Sequence, residues 1–163
     1  MTKRIKAKII VLFCIVILIV VVSLCLRLLG PPYDPIPLSV RQTVSFRIYY
    51  PDQSKLPIGY SLDIKSISAS NQAVVYVIRS NSGQKLNVSI QARPSAAQLI
   101  YFDNSIIALH TQINTNIGKA LIGAINSQAV LSLPVGGSWI LITAPGSFNQ
   151  STLQRVIDTF KST

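Results

Sequence analysis

His110 is the one histidine of the 163-residue chain. With Asp103 or Asp63 and a serine it supplies the residue types of a hydrolase triad, in which an imidazole takes the proton of a nucleophilic hydroxyl and a carboxylate holds the ring. It falls, however, inside the alternating stretch Ile107 to Ile113, on the face opposite Leu109, where an ordinary strand position accounts for it without chemistry. No G-x-S-x-G elbow is present, and no S-x-x-K carries the companion motifs of penicillin-recognising enzymes. Metal sites need clustered Cys, His or carboxylate, and one histidine with five scattered aspartates (Asp34, Asp52, Asp63, Asp103, Asp158) supplies no such cluster. No nucleotide-binding glycine loop occurs, since Gly136-Gly137 reads as a hairpin turn. No catalytic residue, metal or cofactor is assigned, and the chain is expected not to be an enzyme.

Aromatic side chains are the remaining candidates for binding. Trp139 and the tyrosines Tyr49, Tyr50, Tyr60, Tyr76 and Tyr101 have the size to line a groove between a sheet and a helix, and Tyr76, Trp139 and Phe160 are the expected lining. At strand spacing the same residues also serve as core or cross-strand packing.

The elements that position them follow from hydrophobic period. Ser45 to Tyr50 alternates until Pro51, Leu56 to Tyr60 reads as a turn, and Leu62 to Ile67 is extended with a change of phase. Ala73 to Ser80 is apolar on both faces, as a central strand would be. After the turn Asn81 to Gln84, Lys85 to Arg93 places Leu86, Val88, Ile90 and Ala92 on one face and polar residues on the other. A short helical or irregular link, Ser95 to Phe102, leads to strands at Ile107 to Ile113, Lys119 to Ile125, Ala129 to Leu133 and Ser138 to Thr143. A final helix, capped by Asn149 or Ser151, aligns Leu153, Val156, Ile157 and Phe160 at i, i+3, i+4 and i+7. The expected fold class is α+β: an antiparallel sheet of about seven or eight strands packed on a C-terminal helix, preceded by an N-terminal transmembrane helix.

The transmembrane expectation rests on Ile9 to Leu26, which carries no charge. As a helix this run spans about 27 Å, close to the hydrocarbon thickness of a bilayer. Lys3, Arg4, Lys6 and Lys8 precede it and Arg27 ends it, so the positive-inside rule orients the N-terminus toward the cytoplasm. No A-x-A cleavage pattern follows, which favours an uncleaved signal anchor over a secretory peptide. Val22-Ser23-Leu24-Cys25 only superficially resembles a lipobox, because Leu24 stands where a small residue belongs. The only cysteines, Cys14 and Cys25, fall in this segment, so the outer domain can form no internal disulfide. From Gly30 to Pro37 four prolines favour an extended spacer. The expected division is a short cytoplasmic basic tail (1–8), a signal anchor (9–29), a Pro-rich linker (30–43) and an extracytoplasmic α+β domain (44–163).

Charge looks at first like that of a nucleic-acid binder, with 15 basic residues against 5 acidic and a net +10. Half of that excess belongs to the membrane flanks. The remaining basic residues are scattered singly, with no run to follow a phosphate backbone, so no nucleic acid is expected. A mildly cationic surface facing an anionic envelope or lipid headgroups accounts for the same numbers.

The order Phe46-x-Ile48-x-x-Pro51, Leu56-Pro57-x-Gly59-Tyr60, the strand ending near Gln91, the strand led into by Gly118, the Trp139 strand and the helix Leu153-x-x-Val156-Ile157-x-x-Phe160 resembles a known pattern. It is similar to the extracytoplasmic domain of membrane-anchored, anti-sigma-factor-like bacterial proteins, a domain related in fold to lipoprotein carriers. The resemblance covers about residues 44 to 162 and implies envelope sensing or binding without catalysis. Eight cytoplasmic residues are too few for an anti-sigma domain, so direct control of a sigma factor is not implied. The expected function is a single-pass, membrane-anchored binding or sensing domain whose partner is an envelope protein, a peptide or a lipid. The competing expectation is a structural or assembly component of an envelope complex.

Overall fold

The computed structural model describes residues 34–105 and 108–163. The expected transmembrane run, the charges Lys3, Arg4, Lys6, Lys8 and Arg27, and both cysteines lie outside the described residues. Among the described residues no helix is long and apolar enough to cross a membrane. The chain from Pro35 to Thr163 forms one compact unit.

The fold is α+β and mostly sheet. After α1 (Leu38–Thr43) and β1 (Tyr49–Pro51) come three strands, β2 (Tyr60–Ala69), β3 (Ala73–Ser80) and β4 (Lys85–Ala92). Helix α2 (Ala96–Ser105) leads to β5 (Ala108–Thr115), β6 (Gly118–Ile125), β7 (Gln128–Val135) and β8 (Ser138–Pro145), and α3 (Gln150–Ile157) and β9 (Phe160–Ser162) end the chain. Strands β2 to β8 make one seven-stranded sheet in the order β2-β3-β4-β8-β7-β6-β5. Every neighbour is antiparallel. Two hairpin runs thus meet at a single seam, where β4 pairs β8 and Ile90 lies opposite Ile140.

Period two decides what the inner face buries. Val74, Tyr76 and Ile78 on β3, Leu86, Val88 and Ile90 on β4, and Ile140 and Ile142 on β8 are all buried and share one hydrophobic cluster. Ile36, Val40, Ile48, Leu153, Val156, Ile157 and Phe160, from the two ends of the compact unit, belong to the same cluster. The ends are also stitched together by hydrogen bonds: β1 pairs β9, Thr163 N donates to Ile48 O (3.0 Å), and Ser138 Oγ donates to Arg47 O (2.6 Å). The tight β6–β7 turn holds Asn126 at φ 47° and Ser127 at φ 64°, the left-handed pair a two-residue hairpin requires. Gly146 packs so close to this turn that a Cβ there would run into the Ser127 carbonyl oxygen.

Four sequence expectations change. Residues 38–43, expected within an extended linker, are helical, and Ile36 and Val40 are buried, so the compact unit starts before residue 44. Pro37 sits just before the first helical turn, where a missing N–H costs nothing and the fixed φ suits helix entry. Of the expected strand Ser45 to Tyr50 only the end is a strand, and it pairs with β9 rather than joining the sheet. Val75 on β3 is 41% exposed, so this strand buries one face rather than two. The last helix stops at Ile157: Asn149 caps its start as expected, and Asp158, still helical in its backbone, closes the end while its Oδ1 accepts from the Asn116 backbone N–H (2.9 Å). Thr159 Oγ1 then closes the Val156 carbonyl (2.7 Å), and Phe160 enters a strand while remaining buried.

Candidate functional site

The second face of the sheet carries the complementary set of residues. Register places Val75, Ser89 and Leu141 in one row across β3, β4 and β8, and Val77, Asn87 and Thr143 in the next. Trp139, two residues before Leu141, begins this face on β8 opposite Gln91. Helix α2 reaches this face at Trp139 on β8 and at Ser132 on β7.

Pro94 breaks the β4 strand, and Ser95 and Gln98 then form a reciprocal cap. Gln98 N donates to Ser95 Oγ (3.3 Å), while Gln98 Oε1 accepts from Ser95 N (3.0 Å) and from its hydroxyl (2.9 Å). One helical turn then aims Leu99, 7% exposed, and Phe102 at the sheet. The Phe102 and Trp139 rings meet edge to face, centroids 4.8 Å apart at 83°. Trp139 Nε1 donates to Ser132 Oγ (3.0 Å), and Ser132 Oγ donates to Asp103 Oδ1 (3.3 Å). This relay satisfies the indole N–H and the serine hydroxyl where water cannot reach them. Burial pushes the Asp103 carboxyl above its ordinary value, against the opposing pull of the Ser132 hydrogen bond and the His110 charge.

Asp103, His110 and a serine therefore do come near one another, as the triad chemistry would need, but in the wrong order. The carboxylate, not the imidazole, accepts the serine proton. Ser132 is fully buried, so its oxygen has no approach for a substrate carbonyl. Asp63, the other carboxylate considered, is instead bonded to Arg79 Nε at 2.7 Å. Arg79 holds the Asp63 carboxyl below its ordinary value.

The three aromatic residues expected to line one groove are divided between the two faces. Tyr76 and Phe160 pack together in the core, centroids 6.5 Å apart. The Tyr76 hydroxyl donates to Tyr49 O (2.9 Å), and burial raises the Tyr76 phenol. Trp139 lines an open cleft, while the Tyr76 ring stays buried although this residue borders a second depression. The Trp139 cleft, about 560 Å³, is bounded by Pro94, Ala97, Leu99, Phe102 and Trp139, with the Gln98 amide and the Tyr101 hydroxyl among its polar groups. A second depression of about 300 Å³ lies on the same face, floored by Val75, Val77 and Leu141. Of the α2 residues sequence reasoning names only Tyr101, because a ten-residue helix with Ile100 (60% exposed) and Tyr101 (64%) turned outward shows no clean apolar stripe. The readable signal is the cap, Ser95-x-x-Gln98 directly after a proline, with Leu99 and Phe102 three apart.

Among the described residues no three Cys, His, Asp or Glu side chains gather. What this face offers a ligand is apolar area, aromatic edges and few polar groups. No family model, curated protein or solved structure matches the chain.

Proposed function

We propose that the chain is a single-pass, membrane-anchored binding or sensing domain of a bacterial envelope, extracytoplasmic and without catalysis, akin to the sensor domains it resembles. The observation that carries this is the outer sheet face: an aromatic-walled cleft, and on the same face a second depression floored by Val75, Val77 and Leu141, with Val75 41% exposed. A fold that already buries a complete apolar face gains little from apolar residues on the other, whereas a binding face needs them. The charge-free run Ile9 to Leu26 supplies the anchor, and the basic residues before it keep the N-terminus in the cytoplasm. In this arrangement α3 is the fixed cover of the inner face. The relay from Trp139 through Ser132 to Asp103 locks the cleft wall in place.

Protease added to intact cells producing the full chain is expected to cut within residues 34–163 before lysis. Native mass spectrometry of the purified full chain is expected to show a bound small molecule or peptide, and Ala97→Phe, which fills the cleft, should release it. A domain that protease reaches only after lysis would refute the topology. A chain that never carries a ligand, and that loses its role in cells when residues 1–30 are exchanged for another anchor, would make it an assembly component instead.

A further inference from the structure

We infer that two copies of the chain pair edge to edge through β5, antiparallel about a two-fold axis at Ile113, so that their seven-stranded sheets join into one continuous sheet. The pairing involves the sheet edge and is independent of the cleft above.

An edge strand presents a row of unpaired N–H and C=O groups, and proteins blunt such edges with charge, proline, bulges or a cover. The two edges of this sheet are treated differently. Strand β2 carries Asp63 and Lys65, ties Asp63 to Arg79 at 2.7 Å, shifts register between Asp63 and Ser68, and has its Leu62 N–H taken by Gln53 Oε1 (2.9 Å). Helix α1 also lies against it. Strand β5 shifts register only before Thr111. From Thr111 to Thr115 it reads Thr-Gln-Ile-Asn-Thr, without charge or proline and in unbroken register with β6, and among the described residues no strand lies beyond it. Register also says which of its groups are open. Thr115 and Gly118 close a two-residue turn as a hydrogen-bonded pair, so Ile113 and Thr111 bond to β6 as well, while Gln112 and Asn114 turn their main-chain groups away from it. Gln154 Nε2 donates to Asn114 O (3.2 Å), as that direction requires, and the carbonyl oxygen has a second lone pair to offer.

The occupant follows from what lies beside this edge. A foreign peptide added as a strand gains main-chain bonds but needs side-chain pockets to be chosen over other peptides, and neither outer-face depression borders β5. A second copy supplies its own match. With the axis at Ile113, Gln112 exchanges both main-chain bonds with Asn114 of the other copy. On the inner side Ile113 meets its counterpart at the closer, non-hydrogen-bonded spacing, about 4.5 Å between Cα atoms. Ile113 is half-buried and packs on the core cluster, and the other copy covers its open side. Thr111 faces Thr115, a favourable cross-strand pair. No like charges are brought together: Lys119, opposite Asn114 on β6, stays three strand spacings, about 14 Å, from its counterpart, beyond the screening length at physiological salt. Because the axis uses up both β5 edges and leaves only the guarded β2 edges outside, growth stops at two copies.

A single-cysteine scan tests the register. In the full chain carrying Cys14→Ser and Cys25→Ser, each residue from Thr111 to Thr115 is replaced in turn by Cys, and the chain, purified in detergent, is treated with a mild oxidant. Ile113→Cys is expected to give the covalent dimer, since its Cα spacing falls in the range a disulfide spans. Gln112→Cys and Asn114→Cys, although more exposed, stand about 8 Å from their own counterparts and should give little. In the Ile113→Cys background, Gln112→Lys with Asn114→Lys sets like charges opposite one another and should lower the yield about ten-fold, whereas Gln112→Lys with Asn114→Asp should restore it, the circular dichroism spectrum being unchanged in both. A yield that follows exposure, with Gln112→Cys and Asn114→Cys at or above Ile113→Cys, overturns the pairing, as does a yield indifferent to the paired lysines. In the chain with its own cysteines, Gln112→Pro removes an outward N–H and no bond to β6. It should leave the chain monomeric in native mass spectrometry at concentrations where the parent is dimeric, and the same oligomeric state in both overturns the pairing. Oxidation of Ile113→Cys inside producing cells identifies the occupant: an adduct with a different protein in place of the homodimer overturns the second copy and makes the edge a receptor for a foreign strand.

Discussion

The two faces of the seven-stranded sheet are built from alternating residues of the same strands, yet they do different work. On the inner face Val74, Ile78, Leu86, Ile90, Ile140 and Ile142 have no exposed area at all, and both ends of the compact unit contribute to the cluster that surrounds them. On the outer face α2 covers Ser132 and most of Trp139, while Val75, Leu141 and Thr143 keep contact with solvent. The inner face is under one constraint, close packing, and any gap in it costs stability. The outer face is only partly covered, and under the proposed binding role it must keep part of its apolar surface open. Polar groups mark the same division. Inside, the Tyr76 hydroxyl finds a main-chain acceptor; outside, a carboxylate is drawn into a relay at the expense of its own ionisation.

The comparison is broken most severely by removing the inner cover. A chain ending at Gly146 lacks Leu153, Val156, Ile157 and Phe160, each worth about 1.5–3 kcal/mol when buried, against a total of about 5–15 kcal/mol for a domain. It should show no cooperative melting transition, and an unchanged melting temperature would mean that the inner face has another cover. Phe160→Ala keeps the helix and opens a cavity against Tyr76, and should cost about 3–5 kcal/mol in chemical denaturation.

Asp103→Asn tests the outer relay through pH. A carboxyl whose folded value lies above its unfolded value binds more protons folded than unfolded, so its contribution to stability is full below the ordinary aspartate range and declines as pH rises through the raised value. The wild type should therefore lose stability relative to Asp103→Asn as pH rises from about 3.5 toward neutrality. A difference that is flat with pH would remove the raised carboxyl from the account. Asp52 and Asp63, both held low, act with the opposite sign in either protein and cancel in the comparison. The smallest effect on stability is expected from Val75→Thr, within about 0.5 kcal/mol because the side chain is already half in solvent. It should nevertheless weaken any ligand that occupies the depression Val75 floors. A loss of several kcal/mol would show that the outer face is core after all.

Local period makes much of the fold legible in the amino-acid sequence. Alternation places β4 nearly to the residue, and β6, β7 and β8 are placed to within two residues; the apolar run Ala73 to Ser80 gives the bounds of β3; Asn126-Ser127 marks a turn; and Asn149 marks the start of the last helix. Leu153, Val156 and Ile157 are legible as a stripe because residues three and four apart share a helix face. These features depend on neighbours within a few residues, which the sequence states directly. Tertiary structure decided the rest. The seam between β4 and β8 joins residues about fifty apart, and the β1–β9 pair joins residues more than a hundred apart, so neither leaves a local trace. Phe160 satisfies the helical period and is buried as that period implies, but the helix ends before it and Phe160 pairs with Pro51 instead. Tyr76 and Trp139 look alike in sequence, each an aromatic residue on a strand. Which one faces the open cleft follows from strand register and from where α2 comes to rest, because a side chain's face is set by a period of two but the meaning of that face is set by what the rest of the chain lays against it.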